Sequence, residues 1–163
     1  MRATIVNRAT VNAALQLVVA SVRPEVVVRR IDLKVTLEEE DLDVICSPNT
    51  LFQLLLCLLS NAVKFTTQSG KISVAVARSN SNIVFTVRDD GYGMDAPALR
   101  LLFSAGPAAP ARSQHAAMSL ATARVIVETL GGCIEGHSDG PGLGSTFRMC
   151  LPAAQGSSLR VRA

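Results

Sequence analysis

The stretch Leu54-Leu55-Leu56-Cys57-Leu58-Leu59-Ser60-Asn61-Ala62-Val63-Lys64-Phe65-Thr66 decides how this chain folds. Together with Leu51, the apolar residues Leu54, Leu55, Leu58, Leu59 and Ala62 keep helical spacing. The run is nearly apolar all round, which makes it the central, most buried helix. Just upstream, Ser47 followed by Pro48 supplies an N-cap and a first-turn residue. Asn61 and Lys64 place polar groups near the C-terminal end, three residues apart and so near one helical face.

Working outward, Val11, Leu15, Val18, Val19 and Val22 line one face of a first helix, expected to end before Pro24. Ile31, Leu33, Val35 and Leu37 alternate with polar residues as a half-buried strand does, Glu38 to Asp41 read as a solvated turn, and a short strand through Val44 and Ile45 follows. Beyond the central helix, Gly70 opens a strand with Ile72, Val74 and Val76 that pairs as a hairpin with Ile83, Phe85 and Val87. Asp89-Asp90-Gly91-Tyr92-Gly93-Met94 comes next, a loop whose glycines let the backbone approach a ligand or take positive φ. A short helix around Leu99, Leu102 and Phe103 leads into Ser104 to Ser113, read as a mobile lid or loop. Leu120, Ala123, Val127 and Leu130 line a last helix that Gly131-Gly132 terminates. The strands Cys133 to His137 and Thr146 to Leu151, with Phe147, Met149 and Leu151 alternating, close the sheet. This order predicts an α+β fold, a two-layer sandwich in which helices cover one face of a mixed sheet. It lacks the strand-helix alternation of a doubly wound fold. One domain over residues 1–152 and a disordered tail over 153–163 are expected.

Composition narrows the function. With 163 residues, 48% hydrophobic and 18% charged, the chain has enough apolar mass for one core, and disorder is excluded. The net charge of +3 is scattered, and aromatics are 4% with no tryptophan, which argues against a nucleic-acid partner. The longest unbroken apolar stretch, Leu54 to Leu59, is far short of the roughly 20 residues of a membrane span, so no membrane contact is expected. Cys46, Cys57, Cys133 and Cys150 have no zinc-ligand spacing and read as reduced thiols of an intracellular, cytoplasmic protein. Arg2, Arg8 and Arg23, without an acid among the first 24 residues, leave an organellar leader as the alternative, against which the helical period speaks.

Taken in order, several segments resemble the boxes of one family. Residues 54–66 resemble the N box of histidine kinase ATP-binding domains, members of the GHKL superfamily together with gyrase, mismatch-repair and chaperone ATPases. Val87 to Met94 resembles the first glycine box, D-x-G-x-G, and Leu101-Leu102-Phe103 sits where the family has its F box. Ala121 to Gly132 resembles the helix after the lid, and Gly142-Leu143-Gly144-Ser145-Thr146-Phe147 resembles the terminal strand entry. The likeness runs over residues 4 to 152 and implies the Bergerat ATP-binding fold, with ATP and Mg²⁺ as ligands.

Residue by residue, the resemblance makes Asp89 the acceptor for the adenine amino group, a hydrogen bond that guanine cannot make. A turn-initiating Asp that solvates its own backbone is the plainer alternative. Thr146 is expected to support Asp89 or a bridging water. Asn61 is the implied Mg²⁺ ligand, or else a helix-end Asn that satisfies backbone carbonyls. Lys64 is the catalytic candidate that neutralises phosphate charge, or else a solvated lysine. Gly91 and Gly93 let the backbone run under the nucleotide, and Tyr92 borders the base or covers a core edge. Ser119 and Leu120 open the helix whose N–H groups hold the triphosphate in the family.

Two departures stand beside these matches. Cys57 occupies a position where the family holds Asn or a catalytic Glu, and a thiol is a poor Mg²⁺ ligand. The second glycine box reads His115-Ala116-Ala117-Met118-Ser119-Leu120, with all three glycines replaced. Neither His115 nor His137 lies in an H box, so the phosphate acceptor implied is a histidine on a dimerisation helix outside this chain, with a response regulator further downstream. The leading expectation is a sensor kinase module. A pseudokinase that keeps the fold but not productive triphosphate handling is the alternative, and a serine kinase of the anti-sigma type is a third.

Overall fold

In the computed structural model, residues 8–39, 42–104 and 118–154 are described. Their elements run β1 (Ala9–Thr10), α1 (Val11–Val28), β2 (Asp32–Leu37), β3 (Asp43–Val44), α2 (Pro48–Phe65), β4 (Lys71–Ser79), β5 (Asn82–Asp89), α3 (Ala96–Ser104), α4 (Leu120–Thr129), β6 (Cys133–His137) and β7 (Ser145–Pro152). Five strands form one mixed sheet in the order β2-β4-β5-β7-β6, with β2 and β4 parallel and every other neighbour antiparallel. This is the α+β arrangement expected from the sequence. Of the expected lid, Ser104 ends α3 and residues 105–113 lie outside the described residues, as do His115, Ala116 and Ala117 of the second glycine box.

Period-two burial sets the layers. Ile72, Val74 and Val76 of β4, Ile83, Phe85 and Val87 of β5, and Phe147, Met149 and Leu151 of β7 are all buried against the helices. α2 fills the centre, with Leu51, Leu54, Leu55, Cys57, Leu58, Leu59, Ala62 and Val63 buried. Ser47 caps its first turn, its Oγ accepting the Thr50 N–H at 3.0 Å. On β6, Gly136 leaves room for α3: an added Cβ would meet Leu99 and Phe103 at 3.0 Å. Phe103 packs on Phe147 with ring centroids 6.2 Å apart.

Four expectations change. α1 does not stop before Pro24 but carries it inside and runs on to Val28. Proline in a helix interior costs about 3 kcal/mol, and packing beyond it outweighs that cost. Val26 joins the core edge, its carbonyl accepts the Ile31 N–H, and Arg29 is tied to α2. The short strand expected through Val44 and Ile45 is instead Asp43–Val44, and it pairs with β1 in a separate two-stranded sheet. Ala153 and Ala154, expected in the tail, are buried, and the Ala154 N–H donates to the Asp43 carbonyl at 2.8 Å. Finally, α1 is long and apolar enough to cross a membrane by length and composition, because its apolar positions, though broken up by polar ones, dominate its 18 residues. In this fold its Val11, Ala14, Leu15, Val18 and Val22 are buried, and the helix packs against α2.

Helix ends leave carbonyls without partners, and at the end of α2 these are taken up from three directions. The Ala62 carbonyl accepts both the N–H and the hydroxyl of Thr66, the Val63 carbonyl accepts from Arg29, and the Phe65 carbonyl accepts the Tyr92 N–H at 2.9 Å. Arg29 also donates to the Thr66 carbonyl. Hydrogen bonds from charged donors contribute about 1.5–3 kcal/mol, so Arg29→Ala should lower the unfolding free energy by about 2 kcal/mol. A urea titration should show the midpoint falling with an unchanged slope; an unmoved midpoint would mean that the clamp is idle.

Candidate functional site

Strand β5 ends by carrying a carboxylate into the protein. Asp89 is 3% exposed, and it faces Ile72 across β4 and Ser145 across β7. Its Oδ1 accepts the Gly91 N–H at 2.9 Å, and the Ser145 backbone N–H supports it from the other side. Burial pushes the Asp89 carboxyl up from the ordinary range; the two backbone donors pull the other way, and neighbouring Asp90 adds a smaller upward push. The result is a buried acceptor at the edge of the sheet, next to a loop of glycines.

That loop is locked from both sides by backbone contacts. A Cβ at Gly91 would lie 1.9 Å from the Phe65 carbonyl oxygen, so no other residue fits there without moving the end of α2. Gly93 has φ +62 and meets the turn between β6 and β7, where an added Cβ would fall 2.1 Å from the Gly140 oxygen. In return, the Gly142 N–H donates to the Tyr92 carbonyl at 2.5 Å and the Gly144 N–H to the Gly91 carbonyl at 3.2 Å. The Ser138 hydroxyl accepts the Met94 N–H at 2.9 Å and donates to the Gly144 carbonyl at 2.6 Å. The two glycine-rich segments, far apart in sequence, thus build one another's shape.

The end of α2 brings its polar residues to the same place. Phe65 touches Gly91 and Tyr92, Lys64 precedes it, and Asn61 lies one helical turn earlier. Asn61 is half-buried, and its Nδ2 makes only a long contact, 3.9 Å, to the Cys57 Sγ. Lys64 is exposed, its Nζ 5.3 Å from the centre of the Phe65 ring. Cys57 is fully buried, and burial pushes its thiol up to about 12, which keeps it protonated and a poor ligand for a hard cation. Among the described residues, no group of three or more His, Cys, Asp or Glu is placed to hold a metal ion.

Other expected members sit differently. Thr146 pairs with Arg88 and His137, one residue off the Asp89 register, and so projects from the sheet face opposite to Asp89. Ser145 occupies the position next to the carboxylate instead. It is 3% exposed, and its Oγ has no hydrogen-bond partner among the described residues. The signal for this was in the alternation itself: if Phe147, Met149 and Leu151 point inward, Ser145 does too. Tyr92 is 60% exposed and covers no core edge. Ser119 is the N-cap of α4, its Oγ accepting the Thr122 N–H at 3.2 Å and lying 2.9 Å from the Thr122 hydroxyl. Leu120 is buried in the core, so only its backbone faces the helix opening.

Comparison with known proteins supports the same assignment. Residues 46–155 match the family model described as histidine kinase-, DNA gyrase B-, and HSP90-like ATPase. The sensor histidine kinase ZraS of Escherichia coli (strain K12) is 33% identical over 142 residues, which cover 87% of this chain and 29% of that protein. This chain therefore spans under a third of the length of that relative. The catalytic domain of histidine kinase ThkA, in a nucleotide-free form, superposes with a TM-score of 0.76 at 22% identity over 90% of this chain and 94% of that one. ThkA in complex with the response regulator TrrA gives 0.74 at 22% identity over 90% and 41%. The sheet order, the glycine loop on the end of α2 and the family match together make this chain a histidine kinase ATP-binding catalytic domain of the histidine kinase-, DNA gyrase B- and HSP90-like ATPase family.

Proposed function

We propose that this domain binds ATP at Asp89 and supplies its γ-phosphate to a histidine on a dimerisation helix outside the described fold, in a sensor kinase that serves a response regulator. The observation that carries this is the buried Asp89 carboxylate beside an unpaired Ser145 hydroxyl. An exocyclic amino group gives the carboxylate a donor it lacks, and a ring nitrogen or a bridging water gives the Ser145 hydroxyl an acceptor. Gly91 and Gly93 let the loop pack against the Phe65 and Gly140 carbonyls, which fixes the backbone beside Asp89. At the other end, the half-buried Asn61 offers one neutral amide oxygen, which suits a Mg²⁺ that keeps its waters and is held mainly by phosphate. Such an ion would neutralise triphosphate charge. Lys64, whose ammonium lies over the Phe65 ring, would swing it toward the same phosphates. Transfer then rests on positioning and electrostatics.

A specific observation favours the pseudokinase reading as the alternative. Cys57 offers a protonated thiol where the family has a polar ligand or base, and the Ser119 hydroxyl is already spent on capping α4. Titrating the domain with ATP and ADP, with and without Mg²⁺, separates the two. Binding of ATP that Mg²⁺ strengthens supports transfer, whereas equal, Mg²⁺-independent binding of both nucleotides supports the alternative.

Three further outcomes are expected. Because burial raises the Asp89 pKa, the folded state holds that proton more tightly than the unfolded chain does. Its stabilising contribution is present at low pH and is lost as pH rises from the ordinary 3.8 through the raised value. At neutral pH, Asp89→Asn should therefore leave the melting temperature of the nucleotide-free domain equal or higher, while calorimetry records at least about tenfold weaker ATP binding, the worth of one charge-assisted hydrogen bond. A drop in both would make Asp89 a structural residue. Ser145→Ala should weaken ATP binding about threefold to tenfold, and Thr146→Ala should leave it unchanged. The reverse order would put the wrong face of β7 in the site.

Cys57 gives the third. Its thiol keeps its proton in the folded state up to about 12, whereas the unfolded thiol loses it from about 9. Stability should then fall by about 1 kcal/mol between pH 8 and roughly pH 10, a loss that urea titrations of Cys57→Ala should not show. Parallel pH curves for the two proteins would contradict the burial argument.

A further inference from the structure

The sheet face turned away from the helices carries a pair of side chains that nucleotide chemistry does not use. Cys133 opens the edge strand β6, and Cys150 lies directly opposite it on β7 in antiparallel register. Their neighbours Ile134, Met149 and Leu151 are buried toward the helices, so both thiols project from the open face. Cys133 is exposed and Cys150 half-buried, and the Cys133 thiol is near enough to act on the Cys150 proton. Directly opposed residues of an antiparallel ladder have Cα atoms about 4.5–5.5 Å apart, within the roughly 4.4–6.8 Å that a disulfide spans. The strands are close here for a further reason: Gly132 precedes Cys133, and an added Cβ would lie 2.1 Å from the Cys150 carbonyl oxygen. Cys46 and Cys57, by contrast, are both buried among the helices and loops of the core.

We propose that Cys133 and Cys150 form a peroxide-oxidisable dithiol site, whose disulfide staples the edge strand β6 to β7. The exposed Cys133 sulfur attacks one oxygen of hydrogen peroxide, the O–O bond breaks, and Cys133 becomes a sulfenic acid with release of one water. The Cys150 sulfur then attacks the Cys133 sulfur, forming the S–S bond and displacing the hydroxyl, which leaves with the Cys150 proton as a second water. Two thiols lose two electrons and two protons, and one peroxide is reduced to two waters. Glu135 and Arg148, paired across the same two strands, flank Cys150 with opposite charges that bear on its proton. The loop that the staple closes, residues 133–150, contains the turn from Ser138 to Gly144. This is the turn whose N–H groups hold the Tyr92 and Gly91 carbonyls. Oxidation therefore restrains the hairpin that supports the glycine loop.

The test uses the whole chain, reduced, freed of reductant and treated with hydrogen peroxide. Trypsin cuts after Arg124, Arg148 and Arg160, which leaves Cys133 and Cys150 on separate peptides, residues 125–148 and 149–160. The expected result is those two peptides joined within a monomer, two of the four thiols lost, and a melting temperature about 5 °C or more above that of the reduced chain, all reversed by dithiothreitol. Cys150→Ser should abolish the link, and Cys46→Ser should keep it. Joined peptides found only between chains, acid forms of Cys133 without a link, or a linked chain that melts lower than the reduced one would each overturn the proposal.

Discussion

The carbonyl of Phe65 is the point on which the site's geometry depends. It is the last carbonyl of a helix buried almost all round, and it has no partner inside that helix. The Tyr92 N–H supplies one at 2.9 Å, and Gly91 packs against it so closely that a methyl group would not fit. A single hydrogen bond thus fixes where the glycine loop runs relative to α2. Arg29 and Thr66 hold the carbonyls on either side, so the helix end is rigid before any ligand arrives. Because Asn61 and Lys64 sit within a turn of that end and Asp89 two residues before Gly91, satisfying the helix's own backbone also gathers the candidate site.

From this joint the support passes to a distant part of the chain. The turn between β6 and β7 reaches across to the glycine loop with two backbone N–H groups and one serine hydroxyl. Positive φ at Gly93, Gly140, Gly142 and Gly144 makes that approach possible. Two segments that each read as a bare turn in isolation are in fact complementary halves, and neither would hold its shape without the other. This is why the strand order matters for function: β5 and β7 must be neighbours for Asp89, Ser145 and both glycine segments to meet.

Elements defined by local period were legible in the sequence. The alternation in β2, β4, β5 and β7 and the apolar run of α2 gave strands and helix with boundaries close to those observed, because burial on one face forces that pattern. What was not legible depended on partners far away in the chain. Nothing local says that Pro24 sits inside α1, because the contacts that outweigh its cost come from α2 and the turn after α1. Nor does anything local say that Val44 pairs with Ala9 rather than with the main sheet. Thr146 is a different case. The inward alternation of Phe147, Met149 and Leu151 puts Ser145, and not Thr146, on the Asp89 side, a matter of side-chain parity that motif order does not carry.

If ATP binds as proposed, the two ends of its site are built to different degrees. At the base end, the structure supplies an acceptor, an unpaired hydroxyl and a glycine floor, each already oriented by backbone hydrogen bonds that a ligand need not rearrange. Pre-orientation of this kind lowers the ordering cost of binding. At the phosphate end, Asn61 makes one long contact, Lys64 rests on its neighbour's ring, and the Ser119 hydroxyl serves its own helix. Those groups must move or find new partners to hold a triphosphate, so the favourable free energy of binding has to come mainly from the base end. On the proposed function, such a domain is set to discriminate the base before it holds the phosphates.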